Sequence, residues 1–339
     1  MAMPAPGAPL GDDDVAKLDR LRDAFKRLEA ELGRVIIGQR DTIERLAICL
    51  FARGHALLMG VPGLAKTLLV SRLAEAVSLS FSRIQFTPDL MPSDITGTDI
   101  IQEDTTTGRR QMVFAPGPIF ANIVLADEIN RTPPKTQAAL LEAMQEHRVT
   151  IQGRTYTLEE PFFVFATQNP IELEGTYPLP EAQLDRFMLK VLVGYPGRDD
   201  ERAILDRALG GVAPEVDAVT DAEGIAAVGR AVAAVEINDR LREYVIRLVE
   251  ASREPALYRM ADLAPLLEYG ASPRAGIFLA RAAQAYAFIH GRDYVVPEDV
   301  KAIAPDVLRH RLVTTYEAEA QAVTAEDIVT RLLEGVGIP

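Results

Sequence analysis

The chain has 339 residues, with 36 lysines and arginines against 49 aspartates and glutamates, for a formal net charge of −13. That length allows two domains with a core each, and 48% hydrophobic with 25% charged residues is an ordinary folded balance. The negative charge argues against a wholesale nucleic-acid-binding surface, which works by neutralising phosphates. A single cysteine excludes an internal disulfide framework and fits a reducing, cytoplasmic setting.

Met1 to Gly11 is rich in Ala, Pro and Gly and lacks the basic and apolar regions of a signal peptide, so a flexible tail is expected. Asp12-Asp13-Asp14 supplies a helix start. Val15, Leu18, Leu21, Phe25, Leu28 and Leu32 then recur at helical spacing, with Gly33 as the expected stop. A helix over 40–53 carries Cys49 on an apolar face and leads into a short apolar strand, Ala56–Met59. Strands are expected at 82–86, 112–114, 122–126, 162–167 and 188–193, a helix at 135–147, and a hairpin over 149–158 turning at Gln152-Gly153. Strands alternating with helices predict an α/β fold with a parallel sheet. Past Tyr195-Pro196-Gly197 the sequence turns Ala- and Leu-rich. Helices are expected at 221–235, 238–253, 273–290, 297–311 and 325–335, as an all-α lid nearly free of strands. The expected division is a tail and first helix (1–33), an α/β nucleotide-binding domain (34–205) and a helical lid (206–339). No apolar run approaches a membrane span, and four scattered histidines offer no zinc spacing.

The strongest chemical signal is Gly60-Val61-Pro62-Gly63-Leu64-Ala65-Lys66-Thr67, followed by Leu68. A Gly-rich turn between a strand and a helix, closed by Lys-Thr, cradles phosphate. Lys66 would reach the β- and γ-phosphates, and Thr67 would hold Mg²⁺. Ala65 departs from the general pattern, which has Gly there. A second signal is the strand end Asp127-Glu128, where Asp127 would complete a Mg²⁺ shell and Glu128 would act on the attacking water. Asn169 ends another apolar strand and could bond water and phosphate, or simply close an Asx-turn before Pro170. Arg186 could serve a neighbouring subunit's phosphate or form a surface ion pair. Arg274, in the first turn of a lid helix, could close on the nucleotide from the lid.

In that order these segments resemble AAA+ ATPases, with Asn169 as sensor 1, Arg186 as finger and Arg274 as sensor 2. With Ala126–Lys135, Ala166–Pro170, Tyr177–Phe187 and Gly270–Arg274 added, the chain resembles the MoxR family over roughly residues 33 to 335. In that family Ala before the Lys is usual. The resemblance implies ATP with Mg²⁺, a P-loop AAA+ parallel sheet flanked by helices with a C-terminal all-α lid, and Ile36, Ile37 and Gly38 beside the adenine. It also implies a homo-oligomer, a hexameric ring, acting as a chaperone or maturation factor on a client protein. A separate partner carrying a von Willebrand factor A domain is expected. Inserts at 89–114 and 148–158 would face the pore or the partner, carrying Arg109, Arg110, Arg148 and Arg154. Alternatives are a chelatase-type motor subunit that inserts a metal, and a nucleotide-gated binding protein with little turnover.

Overall fold

The computed structural model describes residues 12–103, 110–171, 175–211 and 214–338, with side chains from residue 23 onward. The tail Met1 to Gly11, the side chains of Val15, Leu18 and Leu21, and Arg109 lie outside these residues.

The chain opens with α1 (Asp12–Val35), α2 (Arg40–Phe51), β1 (Ala56–Met59), α3 (Lys66–Ala76) and β2 (Phe81–Gln85). Next come α4 (Pro92–Thr96), β3 (Gly97–Glu103), β4 (Arg110–Pro116), β5 (Ile123–Asp127) and α5 (Pro134–Glu146). The hairpin β6 (Arg148–Ile151) and β7 (Arg154–Thr157) precedes β8 (Phe163–Gln168), α6 (Glu181–Leu184) and β9 (Leu189–Leu192). Five strands form one sheet in the order β2-β5-β8-β1-β9, and every pairing is parallel. Each strand therefore needs a crossover to return, and the helices between them supply it.

The central strands are buried on both faces, as a parallel sheet requires. Along β5, Ile123 and Leu125 enter one apolar cluster while Val124 and Ala126 enter the other. β8 divides in the same way: Phe163 and Phe165 on one side, Val164 and Ala166 on the other. The register pairs Ala126 with Ala166 and Leu58 with Thr167, so β1, β5 and β8 end together at one edge.

Three expectations need correction. The first helix does not stop at Gly33 but runs to Val35; a helix-interior Gly costs only about 1 kcal/mol, and burial of Leu28, Leu32 and Val35 outweighs it. The strand expected at 112–114 does not join the sheet. It is the middle of β4, which pairs antiparallel with β3, a strand the sequence did not signal. The expected division between 205 and 206 falls inside a helix, α7 (Arg198–Gly210), whose Arg207 Nη1 donates to Val35 O at 2.7 Å.

The remaining helices are α8 (Ala222–Ala233), α9 (Asp239–Arg253), α10 (Pro273–Ile289), α11 (Pro297–Leu308), α12 (Tyr316–Ala320) and α13 (Ala325–Gly335). β10 (Leu267–Tyr269) and β11 (Val313–Thr314) make a small ribbon among them. Asp221, Asn238, Ser272 and Thr324 cap their helices by accepting backbone N–H groups. The helices do not keep a core to themselves. One cluster runs from α1, α2 and α3 through α8 and α10 to α11 and α13, because Ala282, Ala283 and Ala285 let neighbours close on α10. Cys49 is fully buried in it, and burial pushes its thiol up, as expected of a core residue.

His55 sits at the entry to β1, between the two layers. Its Nδ1 accepts the Val164 N–H at 3.0 Å, and its Nε2 lies 3.2 Å from Met144 O. Burial pushes its pKa down to about 4. The folded chain thus keeps this ring neutral while the unfolded chain takes up a proton near ~6.5. Stability is expected to fall as pH drops from about 6.5 toward 4, by about 3 kcal/mol in all from this residue. Burial moves His310 in the same direction. Urea denaturation across that window checks the effect, and a His55→Gln chain should show a shallower decline.

Candidate active site

A cleft of about 490 Å³ opens where β1, β5 and β8 end. The loop Pro62–Leu68 forms one wall, Asp127 and Glu128 the floor, and Thr167, Gln168 and Asn169 the other wall. Ligands in open α/β sheets bind at this carboxyl edge.

The loop follows from its glycines. A Cβ on Gly60 would press on Val193 O at 2.7 Å. Gly63 has φ +86°. Ala65 is the N-cap of α3 and has φ 54° and ψ 22°, a left-handed conformation. An L-residue pays about 1 kcal/mol there, which is why the general pattern has Gly. The first-turn N–H groups of α3 have no partner within the helix and face the cleft with partial positive charge.

Lys66 Nζ donates to Gly60 O at 2.5 Å and to Val61 O at 2.8 Å. Burial lowers its pKa, while Asp127 and Glu128 pull it back up. The ammonium is held by carbonyls alone, ready for an anion. Thr67 Oγ1 donates to Asp127 Oδ2 at 3.3 Å. The other oxygen, Oδ1, accepts from Thr167 Oγ1 at 2.6 Å.

Glu128 takes a left-handed backbone, φ 58°, which turns its side chain out of the strand line. Its N–H donates to Thr167 Oγ1 at 2.8 Å. Its carboxylate accepts from Gln85 Nε2 at 3.0 Å and pairs with Arg131 at 3.2 Å. Asn169 Oδ1 accepts the Ile171 N–H at 3.1 Å, the Asx-turn anticipated before Pro170. Its Nδ2 is buried without a partner among the described residues, and the residue lines the cleft wall. Both readings of that residue coexist: one end of the amide closes the turn, and the other is a free donor.

The structure brings together Lys66, Thr67, Leu68, Asp127, Glu128 and Asn169, with Gly60 to Ala65 as the loop. Ile36, Ile37 and Gly38 line a neighbouring depression of about 390 Å³ with Lys26, Glu29 and Arg40. Gln39 Nε2 links it to the loop by donating to Leu64 O at 2.9 Å. Gly38 has φ +77°, and a Cβ there would collide with the Asp200 carboxylate.

Neither Arg186 nor Arg274 lines the cleft of its own chain. Arg186 Nη1 donates to Leu141 O. Arg274 Nη1 lies 3.3 Å from Asp185 Oδ2, which also accepts from Ser272 Oγ at 3.0 Å. Buried Arg311 holds the other oxygen of Asp185 at 2.8 Å.

Sequence reasoning missed Thr167, Arg83, Gln85 and Arg131. Thr167 carried a signal, a lone hydroxyl in a buried apolar strand. Arg83 and Gln85 alternate on β2, but their target on β5 is a matter of register.

A Mg²⁺ ion prefers hard oxygen ligands and few of them from protein. The Thr67 hydroxyl and the Asp127 carboxylate fit that description. Among the described residues no cluster of three or more His, Cys, Asp or Glu forms a metal cage. Nor is any helix among them long and apolar enough to cross a membrane.

Residues 55–189 match the ATPase family associated with various cellular activities (AAA), and residues 259–332 match the AAA lid domain. The chain is 46% identical to Chaperone MoxR1 of Mycobacterium tuberculosis, covering 100% of this chain and 88% of that one. It is 35% identical to Protein MoxR of Methylorubrum extorquens, covering 96% and 98%. A crystal structure from Cytophaga hutchinsonii, described as that of a candidate ATPase, superposes with a TM-score of 0.90 at 45% identity, covering 96% of this chain and 98% of that one.

Proposed function

The chain belongs to the MoxR family of AAA+ ATPases, and on that footing we propose that it couples ATP hydrolysis to the remodelling or maturation of a client protein. One observation carries the reading: a cationic loop, two acids and an unpartnered amide donor meet at one sheet edge. In this reading the loop Gly60–Thr67 and the first turn of α3 bind the phosphates. Lys66 moves from its carbonyls onto them. Thr67 and Asp127 would hold Mg²⁺, which would offset phosphate charge. Glu128 orients and deprotonates the attacking water, and Asn169 Nδ2 bonds that water or the γ-phosphate. Ile36, Ile37 and Gly38 border the adenine. Residues 34–205 form the nucleotide-binding unit and 206–339 the lid.

The placement of Arg186 supports a shared site. Its guanidinium rests on Leu141 O, away from its own cleft, so its use is on the phosphate of the next subunit in a ring, six by our reading. Arg274 takes a different part. Paired with Asp185, it ties the lid to the segment that carries Arg186. A von Willebrand factor A-domain protein is the proposed separate partner, in the cytoplasm. Arg110, Arg148 and Arg154 are exposed. The first two already pair with Glu103 and Glu146, which favours solvated arginines over a docking patch.

Two experiments test this function. Arg186→Ala is expected to lower turnover of the assembly at least ~10³-fold. Mixing it with an Asp127→Ala chain should restore part of it; no recovery at any ratio would place Arg186 in cis. A hydrolysis-blocked chain should retain a client in ATP and release it in ADP. Capture that ignores the nucleotide would sink the remodelling function.

A further inference from the structure

Asp127 is bonded to a residue the family reading does not use. β2 is an edge strand, and its register sets Gln85 opposite Asp127 and Arg83 opposite Leu125. Arg83 and Gln85 share one face of β2, while Ile84 is buried on the other. From that face Arg83 reaches over the strand end. Its Nε and Nη2 donate to Asp127 Oδ2 at 3.0 and 2.6 Å. Oδ2 is also the oxygen that the Thr67 hydroxyl approaches. Oδ1 is taken by Thr167. The guanidinium therefore stands on the carboxylate oxygen that Thr67 also approaches.

Arg83 does one thing more. Its Nη2 donates to Gln85 Oε1 at 2.7 Å, which fixes the amide so that Nε2 points to Glu128 at 3.0 Å. A single relay, Asp127–Arg83–Gln85–Glu128, joins the two acids. A nearly buried carboxylate without a counter-cation is costly. Arg83 supplies a paired counter-charge from a half-exposed position, 49% accessible, and Lys66 adds a more distant one.

We propose that Arg83 is a positioning residue that competes with Mg²⁺ for the Asp127 carboxylate and would yield Oδ2 when the ion binds with the nucleotide. Mg²⁺ and the guanidinium are competitors for Oδ2. Arg83 thus sets how much free Mg²⁺ the site demands, and its withdrawal leaves it on Gln85 alone. The inference rests on Asp127 being a Mg²⁺ ligand.

The test is a thermodynamic linkage, read without turnover. The affinity of the full chain for a fluorescent ADP analogue is measured in EDTA and in excess Mg²⁺, and the ratio of the two is taken. A wild-type ratio of one would remove Asp127 from the metal and the proposal with it. With a wild-type ratio above one, Arg83→Met is expected to raise the ratio roughly three- to tenfold, because a competing charge-assisted bond is gone. Its affinity in excess Mg²⁺ should not fall below the wild-type level, while in EDTA the uncompensated Asp127 carboxylate weakens phosphate binding. Arg83→Lys, which keeps the cation, should return toward the wild-type ratio. An unchanged ratio in both Arg83→Met and Arg83→Gln would overturn the proposal while leaving the Asp127 reading intact. Affinity lost equally in EDTA and in Mg²⁺ would also overturn it, by placing Arg83 on the phosphates. A merely structural role would lower the melting temperature and leave the ratio where it was.

Discussion

Lys66→Ala is expected to abolish nucleotide binding, turnover, or both, with a loss of roughly a hundredfold or more. The ammonium is the one side-chain cation of the phosphate loop, and a charge-assisted bond to phosphate contributes about 1.5–3 kcal/mol before any transition-state gain. Among the described residues it bonds Gly60 O and Val61 O. The variant therefore also loses two contacts that shape the loop, and a thermal melt is needed to separate the effects. Equilibrium binding of a fluorescent ATP analogue and phosphate release are the measurements. Undiminished turnover would sink the assignment of the loop. The pH dependence has a definite sign. Burial lowers the Lys66 pKa from its ordinary 10.5, and the charged form binds phosphate. Affinity should then weaken on the alkaline side before an unperturbed lysine would lose its proton.

Glu128→Gln should separate binding from chemistry. The substitution keeps shape and removes the base, so the nucleotide still binds while turnover falls roughly 10²- to 10⁴-fold. The surroundings tolerate the exchange. Gln85 Nε2 can donate to an amide oxygen as it does to the carboxylate, and the Arg131 pair is partly exposed, which limits its worth to about 1 kcal/mol or less. The Glu128 N–H bond to Thr167 is backbone and survives. Paired measurements of affinity and phosphate release check it. Lost affinity would make Glu128 a structural residue.

The fold was readable wherever periodicity is strong. β1 was expected over the residues it occupies, and the lid helices α8, α9 and α13 began within a residue of the expected 221, 238 and 325. α7 was missed because Pro196, Gly197, Gly210 and Gly211 bracket it and read as a linker, while its apolar residues Leu205 and Leu209 are exposed and give no inward stripe. β3 was missed because its exposed Ile100 and Ile101 break the alternation of a half-buried strand.

By itself the sequence determined the phosphate loop, the acidic strand end and the order in which the motifs follow one another, because each is a local pattern whose chemistry lies in neighbouring residues. It also made Ala65 a point of interest, and its positive φ now gives the physical reason. Only the tertiary structure decided what those motifs touch. Strand register put Arg83 on Asp127 and Gln85 on Glu128. Lid packing put Arg274 on Asp185, and the Leu141 carbonyl of α5 holds Arg186 away from its own cleft. Contacts between strands and between layers depend on register and crossing, which residue spacing along one chain does not encode.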